Sequence, residues 1–193
     1  TLNELYWILG DMTFCERAAM LANVCSPENR NIRMMKRLAE INLVKGDYDA
    51  ARKYLRILQK TFVWSRWANR AFDALGRKAS SYDKALLQQY IDKRPYLNTR
   101  DTLRLNDNCH TIMSELMESN PNNNIAVNYM LCSDLLLKDM ETFKHDYDAY
   151  YLKQQNVTYE KLYQEALAIY LAGTKAPTAE WAKYIKRQDV LQR

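Results

Sequence analysis

Between Ile32 and Ser65 the apolar positions keep helical time, stop, and resume. Met35, Leu38, Ala39 and Asn42 follow helical spacing with Leu43 beside them, an apolar stripe interrupted by one amide. Lys45-Gly46-Asp47 then breaks the pattern. Gly46 suits the left-handed conformation that ends a helix, and Asp47 suits the cap of the next one. Tyr48, Ala51, Leu55, Leu58 and Phe62 recur at three- and four-residue steps and predict a second amphipathic helix. Small Ala51 falls where the two backbones would approach most closely.

The hairpin resembles a tetratricopeptide repeat, a family in which a Gly-Asp-Tyr turn precedes a small and then a large residue in a period of about 34. Gly46, Asp47, Tyr48 and Ala51 match, Leu55 takes the large position, and Ala39 the small position of the first helix. The first-helix Trp and the closing Pro of the family are absent. One period on, Ser80, Tyr82 and Ala85 replace Gly46, Tyr48 and Ala51. Trp67, Ala71, Phe72 and Leu75 form a first stripe there, and Ala85, Leu86, Tyr90 and Ile91 a second, which Arg94-Pro95 ends.

A further unit begins near Ile125, where LLKDMETFKHDY has the cadence of LVKGDYDAARKY, with Asp139 in place of the Gly and Phe143 one place before the small position. From Tyr159 a helix is predicted to carry Leu162, Ala166, Ile169 and Tyr170 on one face and to stop at Gly173. A last helix runs through Trp181, Tyr184 and Ile185 with Thr178 as its cap. Upstream, Gly10-Asp11-Met12 echoes the central turn, so the chain is read as beginning inside a repeat. Residues 100–124 break the period with one helix, Asp107 to Glu118, and an Asn-rich loop.

The expectation is therefore an all-α chain of tandem helix–turn–helix repeats, a degenerate right-handed α-solenoid with one insertion. It forms a single domain over 1–193, with units at 1–31 (partial), 32–65, 66–99, 125–158 and 159–193 and the insertion at 100–124. The rival reading is an irregular helical bundle with chance spacing.

Composition agrees with an all-α chain: four Gly and four Pro in 193 residues, and β-branched residues that never alternate for long. Fourteen Tyr and four Trp fit aromatic packing between helical layers. The net charge of +5 gathers at Arg30, Arg33, Lys36 and Arg37, at Arg52, Lys53, Arg56 and Lys60, and around Lys183, Lys186 and Arg187. These lie mostly on polar helix faces, so a solvated face is the default. No segment has the apolar length of a membrane span, and no aromatic–basic nucleic-acid motif occurs. There is no secretory signal and no initiator Met, so Thr1 reads as a mature or truncated end.

Cys15, Cys25, Cys109 and Cys132 form no Cys-x-x-Cys pair, and Cys25 beside Ser26-Pro27 is the most reactive candidate. Cys109-His110 is the one Cys–His neighbour pair, pointing about 100° apart on a helix. A zinc site on His110 and His145 would need at least two carboxylates as well. Glu115 and Glu118 share a helix face, and Asn156-Val157-Thr158 matches the glycosylation pattern. Gly-rich phosphate loops and nucleophile elbows are absent, and no metal, cofactor or catalytic residue is expected.

The phrases ELYWILGD (Glu4–Asp11), RLAEINLVKGDYDAARKYL (Arg37–Leu55), AVNYMLCSDLLLKDMETF (Ala126–Phe143) and YQEALAIY (Tyr163–Tyr170) resemble a family of uncharacterised bacterial membrane proteins. Its members carry membrane helices first and a tetratricopeptide-like soluble part after. The resemblance implies a soluble domain of a membrane-anchored protein and supplies no catalytic residues.

The first functional expectation is a non-catalytic module binding a protein or peptide partner. It involves no nucleic acid and no insertion of this segment into a membrane. The first helix of each repeat would line a concave face. Its solvent-facing candidates are Arg37, Glu40, Asn42, Arg70, Asp73, Asn128 and Asp134. The second is a carbohydrate- or small-molecule-binding domain that stacks its ligand on Trp64, Trp67 and Tyr96. The third is an enzyme, which requires His110 or His145 beside carboxylates remote in sequence.

Overall fold

The computed structural model describes residues 2–76, 79–97 and 108–191 and, among these, contains twelve α-helices and no strand. The chain divides into two compact units, Thr1–Leu103 and Arg104–Arg193.

The first unit holds α1 (Leu2–Leu9), α2 (Met12–Val24), α3 (Ile32–Lys45), α4 (Tyr48–Leu58), α5 (Ser65–Ala74) and α6 (Ser81–Ile91), then a 3-10 turn at Arg94–Tyr96. Each helix packs on the next, and α6 also packs back on α3. Met35, Ala39, Leu43, Val44, Ala51, Leu55, Leu58, Ala68, Ala71 and Tyr90 form the core. The wholly buried Leu43, Leu55 and Leu58 each supply about 2 kcal/mol of apolar burial. Ala39, Ala51 and Ala68 are completely buried, which lets α3, α4 and α5 approach closely.

The second unit holds α7 (Cys109–Ser119), α8 (Asn124–Leu137), α9 (Met140–Ala149), α10 (Lys161–Gly173), α11 (Thr178–Tyr184) and α12 (Gln188–Leu191). Its core is aromatic: Phe143, Tyr147, Tyr151 and Tyr163 make tilted, stacked and edge-on contacts, with ring centroids 4.9 to 6.4 Å apart. Asn108 caps α7 by accepting from Thr111 N; Asp107, where the sequence starts that helix, and the residues before it back to Asn98 lie outside the described residues.

One turn recurs three times. A left-handed residue ends a helix and the Asp after it caps the next: Gly10-Asp11, Gly46-Asp47 and Lys138-Asp139, with φ of 81°, 80° and 60°. The three aspartates accept from Phe14 N, Ala50 N and Thr142 N at 3.1, 3.0 and 3.0 Å. Gly46 is thus matched by Lys138, one place before the Asp139 that the sequence cadence put there. Phe143 then falls on the small position itself and is completely buried.

Three expected stripes are displaced. The α4 stripe does not reach Phe62, because α4 ends at Leu58 and Phe62 stands fully in solvent. Ala85 is exposed, because α6 turns Leu86, Leu87 and Tyr90 inward onto the core. On α10 the buried face is Tyr163, Gln164, Ala166, Leu167 and Leu171, leaving Leu162 and Ile169 outside.

Candidate functional site

The expected solvent-facing residues occupy three different environments. Arg37, Glu40 and Asn42 on α3 are buried, and so is Asp134 on α8, which corrects their assignment to an open surface. Arg70 is half-buried, its guanidinium 3.8 Å from the Tyr82 ring centroid and its Nε 3.8 Å from Asp83. Asn128 is half-buried and accepts from the Tyr163 hydroxyl at 2.7 Å. Asp73 alone among these residues is exposed.

The α3 residues are covered by the chain itself. Tyr90 of α6 lies 3.4 Å from the Glu40 carboxylate, Arg94 donates to Val44 O at 3.2 Å and to the Tyr48 hydroxyl at 2.9 Å, and the Tyr96 ring lies where a Cβ on Gly10 would stand. Beneath this cover Arg37 joins α1 to α3. Its Nε donates to Asn3 Oδ1 at 3.1 Å, its guanidinium pairs with Glu4 at 2.6 Å and Glu40 at 2.9 Å, and it stacks 4.2 Å from the Trp7 ring centroid. Lys36 also pairs with Glu40, so two cations face two carboxylates and the burial of charge is compensated. Asn42 donates to Leu38 O at 2.7 Å within its own helix. Polar residues on α3 read as a solvated face because nothing in the sequence shows α6 returning over them.

The expected stacking platforms are half-buried and already occupied. Lys36 Nζ lies 4.7 and 4.8 Å from the Trp64 and Trp67 ring centroids, and Lys93 Nζ 5.7 Å from that of Tyr96. Burial pushes the Cys15 thiol up to about 12, so it stays a thiol, held against Asn3. Cys25 is exposed.

In the second unit His110 of α7 and both residues of the His145-Asp146 pair on α9 come together. The buried Asp146 carboxylate lies 2.6 Å from His110 Nε2 and 2.9 Å from His145 Nδ1. A histidine therefore does meet a carboxylate 36 residues away, as the third expectation required. Ser114 Oγ lies 3.5 Å from His110 Nδ1 but donates to His110 O at 2.9 Å, so its proton is directed at its own helix. Sequence spacing carries no sign of this grouping, because two separate helices, α7 and α9, supply it.

Asp134 of α8 also faces this cluster, with Oδ2 buried and unpartnered. Its carboxyl is pushed up to about 6, first by burial and then by Asp146 and Asp139, while His110 opposes the shift. A carboxyl raised in the folded state stabilises the fold while protonated. That contribution is present below the unfolded carboxyl range near pH 4 and is lost as pH rises through about 6. Asp134→Asn is expected to gain about 2 kcal/mol over wild type between pH 4.5 and pH 7.5 in paired urea melts. A stability difference that is flat with pH would refute the protonated buried carboxyl.

Among the described residues no group of three or more His, Cys, Asp or Glu side chains has the arrangement to hold a metal ion, and no helix is long and apolar enough to cross a membrane. A family model, described as a family of unknown function (DUF6057), matches residues 1–193. No curated protein and no solved structure matches the chain.

Proposed function

The chain belongs to DUF6057 over residues 1–193, and on that premise we propose a non-catalytic interaction or scaffold module that binds a helix of a protein or peptide partner. The reading includes a degenerate tetratricopeptide-like solenoid as the architecture, and a soluble part of a membrane-anchored bacterial protein as the context. The thrice-used left-handed turn with its Asp cap and the packing of consecutive helices support the repeat reading. The return of α6 onto α3 is a departure from it.

One observation carries the binding reading. Along α8, Ile125, Tyr129 and Leu136 follow one another at four- and seven-residue steps on the outward side, and Cys132 between them turns its Sγ to within 3.6 Å of the Tyr163 hydroxyl. Cys132 is half-buried and the other three are exposed, Leu136 at 84%. Asn128 ties this helix to Tyr163 of α10, which leaves Leu162 and Ile169 exposed as well. An apolar stripe at this spacing suits a partner helix that presents anchors at matching intervals.

The test is a Tyr129→Glu/Leu136→Glu chain, compared with wild type after both show the same thermal midpoint. Each is used as bait in a detergent-solubilised membrane lysate, and the proteins captured are then purified and titrated directly. The expected result is a partner whose affinity falls at least about tenfold with the double variant, as two apolar anchors lose their burial. Equal titration curves for both baits would rule this face out.

A further inference from the structure

We propose that the turn between α4 and α5 is a docking tip for an anionic lipid bilayer, with Phe62 and Val63 entering the headgroup boundary and Lys53, Arg56, Lys60 and Arg66 holding lipid phosphates. The turn is where the helical stripe fails. Phe62 is 101% exposed and Val63 70%, two adjacent apolar side chains at the end of α4 rather than on its packed face. Ile57, one turn back on the outward side of α4, is exposed too.

The turn holds these side chains out. Thr61 Oγ1 donates to Leu58 O at 2.6 Å and accepts from Trp64 N at 3.3 Å, which closes the base of the loop. Gln59 Nε2 donates to Asn69 Oδ1 at 2.9 Å and fastens the start of the turn to α5. Trp64 faces inward onto Lys36 and the core, so the backbone is anchored on one side of the tip and presents Phe62 and Val63 on the other.

The charge around the tip has one sign. Between Asp49 and Asp73 the sequence has six basic residues and no acidic one. Arg52 pairs with Asp49 and Arg70 with Asp83, but Lys53, Lys60 and Arg66 are exposed and make no ion pair among the described residues. Arg56 is exposed, its guanidinium 5.9 Å from the Phe72 ring centroid. Lys53 and Arg56 lie three residues apart on the outward face of α4, and the exposed Lys60 follows two residues beyond its end, on the way to the tip. A convex apolar tip inside a cationic collar complements a bilayer, whose surface yields to two side chains and supplies phosphates around them. A folded protein partner would instead need a preformed pocket for an isolated Phe.

The experiment is sedimentation of the whole chain with vesicles of phosphatidylcholine containing about 30% phosphatidylglycerol, against pure phosphatidylcholine. The expected result is binding to the first and not the second, weakening as salt rises from about 0.1 to about 0.5 M. Phe62→Ser/Val63→Ser should weaken binding at least about tenfold, because the apolar insertion is gone. Lys53→Gln/Lys60→Gln should weaken it by about fivefold per charge removed. Both variants should keep the wild-type thermal midpoint, since every replaced side chain is exposed. The Tyr129→Glu/Leu136→Glu chain should bind vesicles as wild type does, which separates this tip from the α8 face. Equal binding to both vesicle types, no binding to either, or binding that the Phe62/Val63 variant leaves intact would overturn the proposal. So would a Phe62-dependent complex with a polyglutamate peptide or a short DNA duplex in place of the vesicles.

Discussion

Arg37→Glu is expected to unfold the first unit rather than to release a partner from it. Arg37 is the shared cation of Glu4 and Glu40 and the stacking partner of Trp7, almost wholly out of solvent. Reversal places a third carboxylate between the two and strands Asn3 Oδ1, an acceptor buried with its donor removed. Breaking a buried ion pair from one side costs about 3–5 kcal/mol, and reversal exceeds that. Such a loss is comparable with the whole stability of a small unit, about 5–15 kcal/mol. Lys36 remains on Glu40 and Arg33 lies 3.9 Å from Glu4, so neutral Arg37→Met should fall between wild type and reversal. Thermal melts of the three proteins give the order directly. A midpoint for Arg37→Glu within about 2 °C of wild type would mean that Arg37 stands in water after all. Charge reversal here is consequently a test of folding, and the exposed Tyr129 and Leu136 are the positions at which binding can be tested without it.

Tyr147→Ala carries the largest expected loss in the second unit, about 3–5 kcal/mol. Tyr147 is completely buried, stacked 4.9 Å from Tyr151 and set 6.1 and 6.4 Å from Phe143 and Tyr163. Removing its ring opens a cavity that three other rings border, and aromatic rings cannot collapse into it without leaving their own contacts. The hydroxyl matters less. It accepts from Gln164 Nε2 at 3.5 Å, a long bond, so Tyr147→Phe should cost under about 1 kcal/mol. The check is a urea melt followed by near-ultraviolet circular dichroism, where the ring cluster supplies the signal. If Ala and Phe variants melt together, the stabilisation lies in the hydroxyl and the ring packing described here is refuted.

The charged cluster and the ring cluster share a feature that bears on function. Both use residue types that a sequence offers as ligand contacts, and both spend them on internal contacts. Lys36 and Lys93 cover the faces of Trp64, Trp67 and Tyr96, and α6 covers the polar face of α3. Surface remains available where apolar side chains have no internal partner, on α8 and α10 and at the α4–α5 turn.

Local chemistry alone determined the all-α class and two of the three left-handed turns. Gly10 and Gly46 were legible because a residue with no Cβ reaches positive φ without strain, and each aspartate after them has a carboxylate of the right length to cap a helix start. The stripes of α3 and α5 followed from the 3.6-residue period, which fixes a helix's buried face wherever one side of it packs. Tertiary structure decided the rest. Lys138 takes a left-handed position that its side chain does not announce, because the contacts of α8 and α9 hold it there. Phe62 leaves the stripe because α4 ends four residues earlier in a turn closed by Thr61. Arg37 and Glu40 are buried because α1 and α6, distant in sequence, close over them, and His110 meets Asp146 across 36 residues for the same kind of reason. Periodicity reports how one helix divides inside from outside; it contains no term for a later helix that covers the polar side.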